Sequence, residues 1–112
     1  MSPIARGPAE LSHSVLRVLE DDEYREALTT GGATALHGSR SALKAFLVDA
    51  LTQHASDRGL RYESCDRDLG LLLGQFELWS QALASGAIER KRLRVSLQLA
   101  LAEEFNSHLF RS

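Results

Sequence analysis

The sequence is poor in most of what marks a working chemical site. Cys65 is its single cysteine among 112 residues, so no disulfide can form within the chain and nothing calls for an oxidising compartment. No uninterrupted apolar stretch approaches the roughly 18 residues that suggest a membrane span. The opening residues, Met1 to Pro8, hold no apolar core of signal-peptide length. These absences lead to the expectation of a cytoplasmic protein. Charge of one sign is lacking too. The net charge is −2, whereas a dedicated nucleic-acid binder carries a strongly basic face or total. There is no internal repeat, no low-complexity tract and no linker long enough to divide domains.

Catalytic signatures are missing in the same way. Nucleophilic catalysis needs a Ser or Cys beside a positioned base, and no serine here has the flanking glycines of a nucleophile elbow. Gly31-Gly32 and the Gly70/Gly74 pair lack the loop spacing and the lysine of a phosphate cradle. Cys65 lies just ahead of an expected helix start, where a thiol pKa can be lowered; an ordinary free thiol is the plainer reading. The four histidines, His13, His37, His54 and His108, are scattered. Glu104 and His108 are one helical turn apart and offer two ligands of a metal site, but a transition ion would need further ligands from elsewhere. The expectation is therefore no enzyme, no cofactor and no metal.

What is present is leucine, 20 residues of it, spaced so that the later helices carry two apolar sides. The first seven residues read as a disordered N-terminus, and 8–112 as one helical domain. Gly7-Pro8 offers a helix start, with proline suited to the first helical position and Glu10 near the positive end of the dipole. Leu11, Val15, Val18 and Leu19 form its stripe. The acidic block Glu20 to Glu23 interrupts it, and a short helix follows over Asp22 to Leu28. A loop through His37 and Gly38 leads to a helix from Ser39 to Arg58. Leu43, Phe46, Leu47, Ala50, Leu51 and His54 lie on one face of that helix, and Gly59 terminates it. Leu60 to Ser64 reads as an extended connection.

The next helix starts at Asp66, a good capping residue, and runs to Ser85 before Gly86. Its main stripe is Leu69, Leu72, Leu73, Phe76, Trp79 and Leu83. A flanking stripe of Leu71, Leu78 and Ala82 widens the apolar arc, and Gly70 with Gly74 would allow another backbone to come close. The last element, Ala87 to Phe110, is ambiguous. Leu93, Val95, Leu97, Leu99 and Leu101 alternate with other residues as in a strand, but length and helix formers favour a helix; a strand over 92–101 stays open. As a helix it presents Leu93, Leu97, Ala100, Leu101, Phe105 and Leu109 on one side, with Ile88, Val95, Leu99 and Ala102 on another. The expected fold is all-α: four to five helices with a long antiparallel C-terminal helical hairpin turning near Ser85-Gly86.

Surplus apolar helix surface must be covered by something, and a second copy or another protein is the simplest cover. The function read from this is a non-enzymatic, homodimeric regulator that binds another protein. Leu71, Leu78, Trp79, Val95 and Leu99 are its interface residues, with Arg90 and Arg94 at the rim; core packing is the bland alternative for Trp79, and an anchor at an interface the functional one. The basic block Arg90-Lys91-Arg92-Arg94 supports the alternative of a small dimeric DNA-binding transcriptional regulator touching phosphates. No aromatic is interleaved there, and the acidic block at Glu20 to Glu23 is of the complementary sign. Eleven arginines against two lysines fit a GC-rich bacterial genome. A compact, leucine-rich, all-helical chain of this length resembles the small quorum-sensing antiactivators of the QslA type in pseudomonads. The likeness rests on length, helical character and composition over the whole chain. It implies binding to a LuxR-type transcription factor and blocking of that factor's dimerisation, and it carries no individual site residue with it.

Overall fold

The computed structural model describes residues 7–29 and 32–111. Five helices and two three-residue strands follow one another in it: α1 (Pro8–Glu20), α2 (Asp22–Thr29), α3 (Gly32–Ser56), β1 (Leu60–Tyr62), α4 (Asp66–Ser85), α5 (Arg90–Ser107) and β2 (Leu109–Arg111). The all-α expectation holds in its broad form. Residues 1–6 of the expected disordered N-terminus lie outside the described residues; Gly7 is buried and caps α1.

α1 is the helix the others gather around. Pro8 opens it, Glu10 sits in its first turn and Arg17 in its last, as the dipole favours. Leu11, Val15, Leu16 and Leu19 are buried; Leu16, outside the expected stripe, is among the largest wholly buried side chains. At its end the Leu19 carbonyl, one of the acceptors a helix terminus leaves unpaired, accepts from Ser80 Oγ of α4 at 2.7 Å and from Arg25 Nε of α2 at 3.1 Å. One carbonyl thus ties three helices together.

Several boundaries differ from expectation; α3 ends at Ser56 rather than Arg58, and α5 opens at Arg90 rather than Ala87. Helix α3 begins at Gly32, so the backbone through Gly38 is helical where a loop was expected. Ala33, Ala35 and Leu36 are strong helix formers, and together they outweigh the cost of about 1 kcal/mol for one interior glycine. Cys65, in an extended conformation, is the cap residue of α4, and Asp66 is its first helical residue. At the C-terminus, α5 stops at Ser107 and Leu109–Arg111 leaves the helix to pair antiparallel with β1, in the register Leu60↔Arg111, Arg61↔Phe110, Tyr62↔Leu109. The strand is thus at the end of the segment, and residues 92–101, where a strand had stayed open, are helical.

Gly86, at φ 80°, closes α4 in the left-handed region. Helix α5 then packs most broadly on α1 and less on α4, so a long antiparallel pairing of α4 with α5 is not established by these contacts. A single apolar cluster joins all the helices, with Phe76 and leucines 19, 47, 51, 93, 97 and 101 at its centre. Phe46, expected on the buried face of α3, is instead 40% exposed. Ile88, expected on the outer face of a longer last helix, precedes α5 and packs half-buried against the core.

Candidate functional site

Two features stand out on α4 and α5. The first is apolar. Leu71 (68% exposed) and Leu78 (62%) lie two turns apart on α4, and Val95 (55%) and Leu99 (67%) lie one turn apart on α5. The buried residues of α4 are Leu69, Leu73, Phe76 and Ser80, and those of α5 are Leu93, Leu97, Leu101, Glu104 and Phe105. At 100° per residue, the four exposed side chains therefore point away from the core. Of the expected outer faces these four are exposed, whereas Ala82, Ile88 and Ala102 are half-buried.

The second feature is an open groove of about 350 Å³ between the same helices. It is walled by Leu71 and Leu72 on one side and Ala100, Glu103 and Ser107 on the other, with Asp68, Glu104 and His108 converging in it. His108 Nε2 lies 2.9 Å from Asp68 Oδ2 and 3.7 Å from Glu104 Oε2. Behind them, the Tyr62 hydroxyl donates to Glu104 Oε2 at 2.8 Å. Each member is placed by a different constraint. Asp68 comes from the first turn of α4, Glu104 and His108 from the last turn and cap of α5, and Tyr62 from β1, held by its pairing with β2. Burial raises the Glu104 carboxyl above the usual range, against the opposing pull of the Tyr62 hydroxyl and of His108. Burial likewise raises the Tyr62 phenol, helped by its bond to Glu104.

The sequence-predicted residues fare unequally. Leu71, Leu78, Val95 and Leu99 stand exposed as expected. Trp79 is half-buried against the core, its ring stacked on Phe76 with centroids 6.1 Å apart. Arg90 is engaged within the protomer, its Nε 2.6 Å from Glu20 Oε2, so the basic and acidic blocks meet inside one chain. Arg94 is exposed on α5. Gly70 and Gly74 do not serve close packing inside the protomer, because a Cβ built at either would meet nothing within 4 Å. Sequence reasoning paired Glu104 with His108 but missed Asp68 and Tyr62, which lie about 40 residues away in the chain. No local spacing signals them.

A second depression, lined by Val18, Asp21, Glu23, Tyr24, Ala42, Leu43 and Phe46, lies between α1, α2 and α3. Burial pushes the Tyr24 phenol up to about 12, with Glu77 adding to it. Tyr24 therefore stays neutral and offers no base. The nearby Arg40 makes a two-pronged ion pair with Glu77 of α4, its second contact 2.7 Å, and so fixes α3 against α4. No helix of the described residues is long and apolar enough to cross a membrane. Compared with known proteins, the chain matches no protein-family model, no curated protein and no solved structure.

Proposed function

We propose that this protein is a non-enzymatic regulatory binding module that covers an apolar surface of another protein with the outward faces of α4 and α5. One observation carries the reading: four large apolar side chains are more than half exposed on two helices that flank one groove. Gly70 and Gly74 support it. Each weakens α4 by about 1 kcal/mol relative to alanine, and neither receives a neighbour in return within the protomer. Small residues beside exposed leucines suit a helix laid across α4 from outside.

The magnitudes set the kind of complex. Burying four leucine- or valine-sized side chains yields roughly 6–12 kcal/mol before costs. Association costs about 4–15 kcal/mol in lost freedom. The face thus supports a reversible complex that neighbouring contacts tip one way or the other. A second copy of the chain presents the same face, so a homodimer is the resting form and a target protein competes with it. The resemblance in length, composition and helical character names one such target. It is a LuxR-type transcription factor whose own dimerisation surface is occluded, which would make this chain an antiactivator.

The test uses Leu71→Glu/Leu78→Glu, two changes at exposed positions that leave the core untouched. The unaltered chain is expected to show a mass that rises with concentration by light scattering, and to convert a LuxR-type dimer into a mixed complex. The double variant is expected to stay monomeric and to leave the transcription factor dimeric. A chain that is monomeric at every concentration and binds the factor no differently from its double variant sinks the reading.

A further inference from the structure

We infer that Asp68, Glu104 and His108 form a binding site for one divalent first-row transition ion of the zinc class, set in the α4–α5 groove. The starting point is the convergence of three donor atoms from two helix ends. His108 Nε2 faces two carboxylates, yet one ring nitrogen carries at most one hydrogen. Asp68, at 2.9 Å, is within hydrogen-bond reach. Glu104, at 3.7 Å, is beyond it. A single imidazole proton serves Asp68 and not Glu104, whose Oε2 is bound instead by the Tyr62 hydroxyl. One divalent cation serves both, with the imidazole nitrogen as the third donor.

The geometry admits such an ion. Zinc sits about 2.0–2.2 Å from nitrogen and carboxylate oxygen, which puts tetrahedral ligand atoms roughly 3.4 Å from one another. The three donor atoms here all lie within 4.8 Å of one another, and the 2.9 Å and 3.7 Å distances from Nε2 fall on either side of the roughly 3.4 Å tetrahedral spacing. Seating the ion therefore asks for side-chain movements of under about 1 Å at each donor. Asp68, with its side chain 45% exposed, is free to make the largest of them.

Two further features separate this cluster from a surface ion pair. Glu104 is 8% exposed and oriented from behind by the Tyr62 hydroxyl. An outer hydrogen bond of that kind is what fixes a metal-bound carboxylate and holds its affinity up. On the other side the groove is open, so three protein ligands leave at least one coordination position accessible to water or to a small ligand. The donor set selects the ion class. Imidazole favours zinc, iron, cobalt and nickel over magnesium or calcium, and the two carboxylates keep the site from being a soft, copper(I)-type one. The bound ion would join the first turn of α4 to the end of α5, beside Leu71 on the proposed docking face.

The experiment is equilibrium dialysis of the chelator-treated full chain against zinc(II), with elemental analysis, followed by titration with cobalt(II). One zinc per chain is expected, with the strong visible absorption of a four- or five-coordinate cobalt(II) site. Asp68→Asn and His108→Gln are each expected to weaken binding at least tenfold, and Tyr62→Phe about tenfold through the lost outer bond. His13→Gln, on α1, is expected to bind as the parent does. No bound zinc, a weak octahedral cobalt spectrum, or binding unchanged in both ligand variants overturns the proposal. Should a variant fail to fold, the stoichiometry and the cobalt spectrum of the unaltered chain decide between these outcomes.

Discussion

Single residues show where the chain gives up stability it could have had. Gly70 and Gly74 lie inside α4 with open space where a Cβ would stand. Alanine there removes backbone freedom from the unfolded state and adds nothing that clashes. Gly70→Ala and Gly74→Ala are each expected to raise unfolding stability by about 0.5–1 kcal/mol in urea titrations. If a helix docks across α4, the same changes weaken self-association, so stability and assembly move in opposite directions. Gly7 is the contrary case. A Cβ there would come within 2.8 Å of the His54 ring, so any larger residue capping α1 would have to displace that ring. In the sequence the three glycines looked alike apart from Pro8 beside one of them. What a glycine makes room for is decided by a residue far along the chain.

At the scale of elements, α5 explains its own ambiguity. Its buried residues Leu93, Leu97 and Leu101 recur every four positions, and its exposed Val95 and Leu99 do the same two positions out of step. Two interleaved helical stripes produce an alternation that imitates a strand. Helix formers and length resolved it correctly. The two stripes separate on substitution. Leu97→Ala removes a wholly buried side chain and is expected to cost about 2–5 kcal/mol in denaturant melts. Leu99→Ala, on the outer stripe, is expected to change monomer stability by less than about 0.5 kcal/mol. The legible parts of the fold were those with a local cause: Pro8 starting α1, Gly86 ending α4, and the stripes of α1 and α4. The β1–β2 pairing was not legible. Leu109-Phe110-Arg111 carries only a weak strand signal, and its partner lies on the far side of two helices. Arg61 placed over the Phe110 ring at 5.9 Å adds to that pairing, again from a distance the sequence does not encode locally.

On the scale of the whole molecule, acid sensitivity passes through His54. Its ring occupies the space a Cβ on Gly7, the cap of α1, would need, and packs 4.9 Å from Phe105 of α5. Its Nδ1 lies 2.7 Å from the Arg58 guanidinium, which donates to it when the ring is neutral. Burial first, and Arg58 second, lower its pKa below the ordinary 6.5. The folded state therefore resists a proton that the unfolded chain accepts. The resulting penalty is absent above about pH 6.5 and grows as the pH falls through the lowered value. Stability is expected to decline as the pH falls below about 6.5, with a shallower decline in His54→Gln, followed by urea unfolding at each pH. Long-range pairs of this kind also define the candidate sites. Glu20 with Arg90, Arg40 with Glu77, and Asp68 with His108 each join residues that periodicity cannot bring together. The exposed apolar residues of α4 and α5, by contrast, were readable, because two stripes on one helix are a local property.

The short β1–β2 ladder has a reach beyond its three pairs. Tyr62 belongs to it and steers Glu104 through one hydrogen bond, while the backbone N–H of Glu63 donates to the His108 carbonyl at 3.0 Å. Loss of that pairing would free Tyr62 and Glu63 together, and with them the restraint on the carboxylate and the imidazole in the groove.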